Sequence, residues 1–496
     1  MSLVNFYKDQ DIFITGGSGF IGKVLLEKIV RSLPNVGKIY VLLRNKKNKN
    51  AQERLNEILA IPLFRRVRRE QPESLKKIIA IDGDCQELKL GISPANLEML
   101  RNVSIIFHVA ATVRFDDNLR TSILLNTRGT HELVKIAEGL ANLKIFMHVS
   151  TTYAHPDLNV LEEKIYPAYA DWRTTIKLAE TYDIETLNIL FPKYAPKHPN
   201  TYTFTKSLGE HIIEESRHKI PVAILRPSIV VSSFEEPFPG WIDNFNGPAA
   251  LLVACGAGVL RTHCCNPDAI HDFVPVDMCA KSLIVSAFSA AQHATNQVVD
   301  TDEVPVFNCC SSDKRYLTTN DIVCLGKELV IENPLEKCIW LPEGGITQFP
   351  VWHYFRFITL QIIPSILLDC LIRLAQHPPV LLRLQRRIVS NAQVLDVFLN
   401  NEWAFDNKKL KSLETLLINK EWSDFKFMDF CDADHIEYYK NALKGGKEFL
   451  LKENPEASPG ARLRMRIFQV VHYYLQFMGT FYLVRYLLGS MVSRIN

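Results

Sequence analysis

The sequence predicts an α/β fold: a doubly wound parallel sheet, then a helical C-terminal domain and a C-terminal membrane helix. Three observations carry this. Short apolar runs alternate with amphipathic stretches through the first part of the chain, the rhythm of strands alternating with crossover helices. A glycine-rich turn separates the first such run from the first such stretch. Beyond roughly residue 345 the alternation stops, and an apolar stretch of bilayer length lies near the end.

Composition narrows the class. A chain of 496 residues is too long for one small core, so two or more domains are expected. Hydrophobic residues at 47% and charged residues at 22% describe an ordered globular protein. A net charge of +3, without a basic aromatic stripe, argues against nucleic acid as partner. The 11 cysteines lack metal spacing and read as reduced core thiols. No His/Cys/carboxylate cluster suggests a metal. The opening MSLVNFYKDQDIFITGG has no basic n-region leading into an apolar h-region, so no secretory signal is expected.

The first strand is expected at Asp11 to Thr15, a buried apolar run. It leads into Gly16-Gly17-Ser18-Gly19-Phe20-Ile21-Gly22 and an amphipathic helix from Lys23 to Arg31. This order makes a Rossmann-like dinucleotide site. Gly16 permits the tight turn, Gly19 lets backbone approach a pyrophosphate, and Gly22 lets helix and strand pack closely. The helix start offers N–H groups to phosphate. Thr15, Ser18, Phe20 and Ile21 complete the candidate cofactor turn.

The second strand, Lys38 to Leu43, ends at Arg44. An acidic residue there would accept the ribose hydroxyls of NAD; Arg44 offers a fork to a 2′-phosphate instead. Lys46 and Lys47 add positive charge, so NADPH is the expected cofactor. Further strands are expected at 78–81, 105–109 and 146–150. Asp84 is a candidate acceptor for the adenine amino group. Ala110 and Ala111, before Thr112, form a small-residue ledge beside the cofactor, and Asn126 is read as a support for the active-site backbone.

The last of these strands runs into Ser150-Thr151-Thr152-Tyr153. A hydroxyl at a strand's carboxyl end stands where open α/β sheets bind ligands. Thr151 is favoured for holding a substrate carbonyl, with Ser150 as the other choice. In TYTFTK, Tyr202 and Lys206 are four apart and share a helix face, where the ammonium can lower the phenol's pKa. Such a tyrosine exchanges a proton with a carbonyl oxygen while a nicotinamide supplies hydride.

Thr151, Tyr202 and Lys206 resemble the catalytic set of the extended short-chain dehydrogenase/reductase superfamily. The stretches ITGGSGFIGKVLLEKIVRSLP, VAATVRFDD, EEKIYP, KHPNTYTFTKSLGE, ILRPSIV, GWIDNFNGP, GVLR and PVDM narrow the resemblance to the fatty acyl-CoA reductases. The likeness implies reduction of a long-chain acyl-CoA to a primary alcohol with two NADPH, through an aldehyde. Lys206 would then hold the nicotinamide ribose. Ser18 replaces a commoner threonine; Ala254 to Cys265 and His155 depart further, which bears on chain-length preference. An acyl-CoA reductase that stops at aldehyde, an epimerase or hydroxysteroid dehydrogenase, and a membrane-tethered lipid-binding scaffold are the competing readings. Sugar-nucleotide dehydratases fit less well, because Thr152-Tyr153 stands where they carry Asp-Glu.

The expected division is a reductase domain over 1–345, a helical domain over 346–453, a linker over 454–466 and a membrane-associated helix over 467–488. The apolar stretch Tyr354 to Ala375 carries three charges, costly in lipid, and reads as packed or interfacial. Arg462, Arg464 and Arg466 precede the last helix, so the catalytic part should face the cytosol. The resemblance points to the endoplasmic reticulum, with the peroxisome as alternative. Membrane lipid is thus an expected partner beside acyl-CoA, and a homo-oligomer is possible. The run Arg65-Arg66-Val67-Arg68-Arg69 reads as a solvated helix face or as a contact for CoA phosphates or anionic headgroups.

Overall fold

Short runs of β-branched and aliphatic residues build one seven-stranded sheet in the computed structural model, which describes residues 2–46, 48–296, 303–311 and 317–495. Lys47, expected to add charge beside Arg44, lies outside the described residues. The strands are β1 (Asp11–Thr15), β2 (Ile39–Leu43), β3 (Ile78–Asp82), β4 (Val103–His108), β5 (Ile145–Val149), β6 (Val222–Pro227) and β7 (Val306–Cys309). All pairings are parallel, in the order β7-β6-β5-β4-β1-β2-β3. The winding direction reverses between β1 and β4, which opens a crevice at their carboxyl ends. Every residue of β2, β4, β5 and β6 is buried, so these strands read as continuous apolar runs rather than alternating ones.

Crossover helices cover the sheet: α1 (Phe20–Ser32) follows the glycine turn, α2 (Thr201–Ser216) carries the tyrosine and lysine, and α3 (Val276–Asn296) packs against α1. All 11 cysteines are free thiols.

The chain forms two compact units, and neither is continuous. One takes residues 1–242, 271–316 and 402–434; the other takes 243–270, 317–401 and 435–496. The sequence suggests consecutive segments instead, 1–345, 346–453, 454–466 and 467–488. In the first unit, residues 402–434 return to the edge of the sheet. There Asn308 Nδ2 donates to the Asp406 carbonyl at 2.8 Å, and Leu410 N–H donates to Glu163 Oε1 at 3.0 Å.

The second unit holds a short parallel pair, Thr262–Cys264 with Gly345–Thr347. It also holds a helical run over Pro350–Leu374, the helix Leu381–Asn400 and α4 (Pro459–Ile495). The expected linker is therefore half helix. Pro459 occupies the first helical position, where its missing N–H costs nothing. The Ser458 hydroxyl caps the start by accepting from Ala461 N–H at 3.1 Å. Met465, 2% exposed, packs with Val330, Leu335 and Leu341.

Among the described residues, Pro350–Leu374 is the helix long and apolar enough to cross a membrane, with mean hydropathy 1.8. The segment 467–488, expected to be that helix, is the outer part of the 37-residue α4. Gln469, His472, Gln476 and Arg485 interrupt its apolar character.

Candidate active site

The glycine turn is tight for steric reasons. Gly16 has φ +75°, and a Cβ on it would stand 2.5 Å from Ala110 N. A Cβ on Gly22 would meet the Gly16 carbonyl oxygen at 2.2 Å. Gly19, whose own N–H closes the turn on Gly16 O at 2.8 Å, caps α1 without any side-chain hydrogen bond. The N–H groups of Phe20 and Ile21 thus begin a helix whose start is left to an anion. Thr15 fixes the neighbouring strand end: its hydroxyl bonds His108 Nδ1 at 2.7 Å and accepts from Ala110 N–H at 3.3 Å. The ledge of Ala110 and Ala111 is therefore set directly against the turn that carries Ser18.

Arg44 leaves the end of β2 half-exposed and meets Asp84, just past β3, at 3.8 Å. The sequence assigned these two residues to opposite ends of an adenosine moiety, and they stand side by side. An uncapped helix start and a turn that admits no Cβ together fit a nicotinamide dinucleotide.

The second cluster lies at the carboxyl end of β5. Asn200 caps α2 by accepting from Thr203 N–H at 3.0 Å, which seats Tyr202 in the first turn and Lys206 one turn on. The Tyr202 phenol lies beside the Thr151 hydroxyl, which accepts from Tyr153 N–H at 3.2 Å. Phe115 lies 5.6 Å from the tyrosine ring, centroid to centroid. Lys206 Nζ donates to the Val149 carbonyl at 2.6 Å, so ammonium and tyrosine meet the same strand end. Of the two adjacent hydroxyls, Thr151 is the one on the phenol, while Ser150 Oγ is buried without a partner.

The electrostatics differ from the sequence expectation in one respect. Burial raises the Tyr202 phenol to about 12, opposed by the neighbouring Thr151 hydroxyl, and Lys206 is not among the causes. Burial also lowers Lys206 to about 8, with the Glu210 carboxylate acting the other way. Desolvation of both groups outweighs their mutual effect.

Asn126 does what was expected and more. It sits in a π-type turn, Ile123–Arg128, and accepts from Thr112 N–H at 2.9 Å while donating to Thr205 Oγ1 at 2.9 Å. It ties the ledge to α2 between Tyr202 and Lys206.

Sequence reasoning missed a buried ionic group beneath this site. Arg226 on β6 and Glu210 on α2 are fully buried and pair twice, at 2.8 and 2.7 Å. Arg226 also donates to the carbonyls of Glu162 and Lys164, at 3.2 and 2.9 Å. His155 Nε2 reaches Glu210 Oε2 at 3.3 Å. The available signal was an arginine inside the apolar run of ILRP, which needs a buried partner. The basic run after Phe64 is largely absorbed locally: Arg66 and Arg69 pair with Glu70, Arg68 donates to the Ile61 carbonyl, and Arg65 lies over the Phe238 ring.

Two family models described as male sterility protein match this chain, a NAD-binding one over residues 14–283 and another over 360–453. Fatty acyl-CoA reductase wat of Drosophila melanogaster is 35% identical over 473 residues, 94% of this chain and 89% of its own length. Fatty acyl-CoA reductase 1 of Homo sapiens is 34% identical over 474 residues, 95% and 91% of the two chains. The terminal R domain from the myxalamid PKS-NRPS pathway shares the fold, with TM-score 0.59 at 17% identity over 88% of this chain and 90% of its own. A dinucleotide turn, a Thr-Tyr-Lys cluster on the same crevice and full-length likeness to these relatives lead to one conclusion: the chain belongs to the fatty acyl-CoA reductase family.

Proposed function

We propose that this chain reduces long-chain fatty acyl-CoA to the primary fatty alcohol, using two NADPH and passing through the aldehyde. The observation that carries the reading is the placing of the Tyr202 phenol beside the Thr151 hydroxyl, at the strand end that also holds Lys206. Bound NADPH supplies the hydride in each of two reductions.

The protein's own groups do the rest. Thr151 and Tyr202 hold the thioester carbonyl oxygen and share the negative charge that develops on it. Collapse breaks the C–S bond; CoA leaves as a thiolate that takes a proton from solvent, and the aldehyde remains. Tyr202, its phenol held neutral by burial, then gives a proton to the aldehyde oxygen as the alcohol forms. Lys206 holds the Val149 carbonyl and has donors left for the nicotinamide ribose. Ser18, Gly19, Phe20, Ile21 and Gly22 serve the pyrophosphate, Asp84 the adenine and Arg44 the 2′-phosphate.

We read residues 467–488 as a membrane anchor with the catalytic unit facing the cytosol, at the endoplasmic reticulum or otherwise the peroxisome. The three arginines ahead of it support that orientation. A greasy substrate supports the location: burial is worth about 0.8 kcal/mol per methylene, so acyl chains reside in or near membrane.

Incubating detergent-solubilised protein with acyl-CoAs of several lengths and NADPH, then identifying products by mass, tests the proposal. Fatty alcohol is expected. Aldehyde as sole product reduces the assignment to one hydride step, and bound dinucleotide without turnover favours a lipid-binding scaffold. Arg44→Ala is expected to raise the Kd for NADPH roughly tenfold or more, the scale of one charge-assisted contact, and to leave NADH nearly unchanged. Equal weakening of both would remove the 2′-phosphate role.

A further inference from the structure

The helical run Pro350–Leu374 has its polarity inverted relative to a helix that covers a core. Three of its polar side chains point into the protein. Gln361, Ser365 and Asp369, four residues apart, are 2%, 5% and 6% exposed. Gln361 Oε1 accepts from the N–H groups of Arg261 and Thr262, and its Nε2 donates to Gln385 Oε1 at 3.2 Å. Asp369 accepts from Val380, Leu381 and Leu382 N–H at 2.9–3.0 Å and so caps the helix Leu381–Asn400. The apolar side chains point outward: Val351 is 84% exposed, Leu371 60% and Leu374 78%.

Charge along this run and the helix after it is equally one-sided. Between Pro350 and Leu395 the single acidic residue is the buried Asp369, while Arg373, Arg383, Arg386 and Arg387 are exposed. An apolar strip whose run and following helix expose arginines and no acid up to Leu395 complements an anionic lipid surface.

We propose that this helix lies in the plane of an anionic membrane leaflet, its outward row in the acyl boundary, with Arg373 and the arginines of the helix Leu381–Asn400 at the headgroups. Length and hydropathy alone would allow it to span. Spanning would withdraw Gln361 and Asp369 from five backbone N–H groups and carry a carboxylate into hydrocarbon. The bonds that hold the helix's inner face are therefore what keep it flat. The inference is independent of the reductase chemistry: turnover in detergent reads one, and insertion depth reads the other.

The test labels the full-length protein at Val351→Cys, Ile363→Cys or Leu374→Cys with a lipid-depth-sensitive fluorophore. The exposed Cys324 and Cys370 are first replaced by serine. In phosphatidylcholine–phosphatidylserine vesicles the three positions are expected to report one shared shallow depth. Arg386→Glu with Arg387→Glu should weaken lipid quenching several-fold, whereas restoring arginine recovers it. A deep signal at Ile363 between two shallow ends would mean a spanning helix and overturn the proposal. Absence of lipid quenching overturns it too, as does label protection that grows with protein concentration without lipid, which would assign the face to a second copy of the chain.

Discussion

Tyr202→Phe is expected to lower kcat by about 10²–10⁴-fold, the range for losing a positioned general acid, while NADPH affinity stays within about twofold. The ring remains to pack near Phe115, and only the phenolic oxygen beside Thr151 is removed. The measurement is single-turnover reduction of acyl-CoA and, separately, of the matching aldehyde, with dinucleotide binding followed by fluorescence. The aldehyde step should suffer more, because an alkoxide must be protonated there, whereas a thiolate can leave unprotonated. Near-normal rates in both steps would take Tyr202 out of the mechanism.

The second large effect is on stability. Arg226→Ala leaves the Glu210 carboxylate fully buried, with His155 as its remaining side-chain partner, and strips donors from the Glu162 and Lys164 carbonyls. Breaking one side of a buried pair costs about 3–5 kcal/mol, readable as a lower denaturant midpoint. Glu210→Leu combined with Arg226→Met should recover part of the loss. The recovery stays partial, since the two carbonyls remain without donors. A midpoint unchanged in Arg226→Ala would mean that the pair contributes nothing. In Glu210→Gln, the carboxylate that opposes the burial of Lys206 is gone, so the lysine should lose its proton at lower pH than in the parent chain.

Much of the sheet was legible because fully buried parallel strands leave a simple trace, such as the Ile39–Leu43 run with no polar interruption. The glycine turn was legible for a steric reason: few sequences put Gly16 and Gly22 where any Cβ would strike backbone. The choice between Ser150 and Thr151 was not, since adjacent residues differ only in which way the strand end turns them. Nor was the high phenol pKa, because spacing reveals a neighbouring charge but not how completely water is excluded from both groups. The pairing of Arg226 with Glu210 joins residues 16 apart on a strand and a helix, and hydrophobic periodicity is silent about such contacts. At 454–466, Asn454-Pro455 to Pro459-Gly460 read as a linker, although proline is at home in the first turn of a helix.

The late segment 402–434 has a practical consequence for anyone dissecting this enzyme. Glu163 receives N–H donors from Lys409 and Leu410, and Asn308 reaches the Asp406 carbonyl. A fragment cut after residue 345 would therefore carry every side chain proposed to handle nicotinamide, yet leave Glu163 and Asn308 at its sheet edge with only Asn308 N–H and the Leu161 carbonyl as the remaining partners of their side chains among the described residues. Expression of such a half should yield insoluble material, and supplying the missing piece in trans is the route by which its solubility would return.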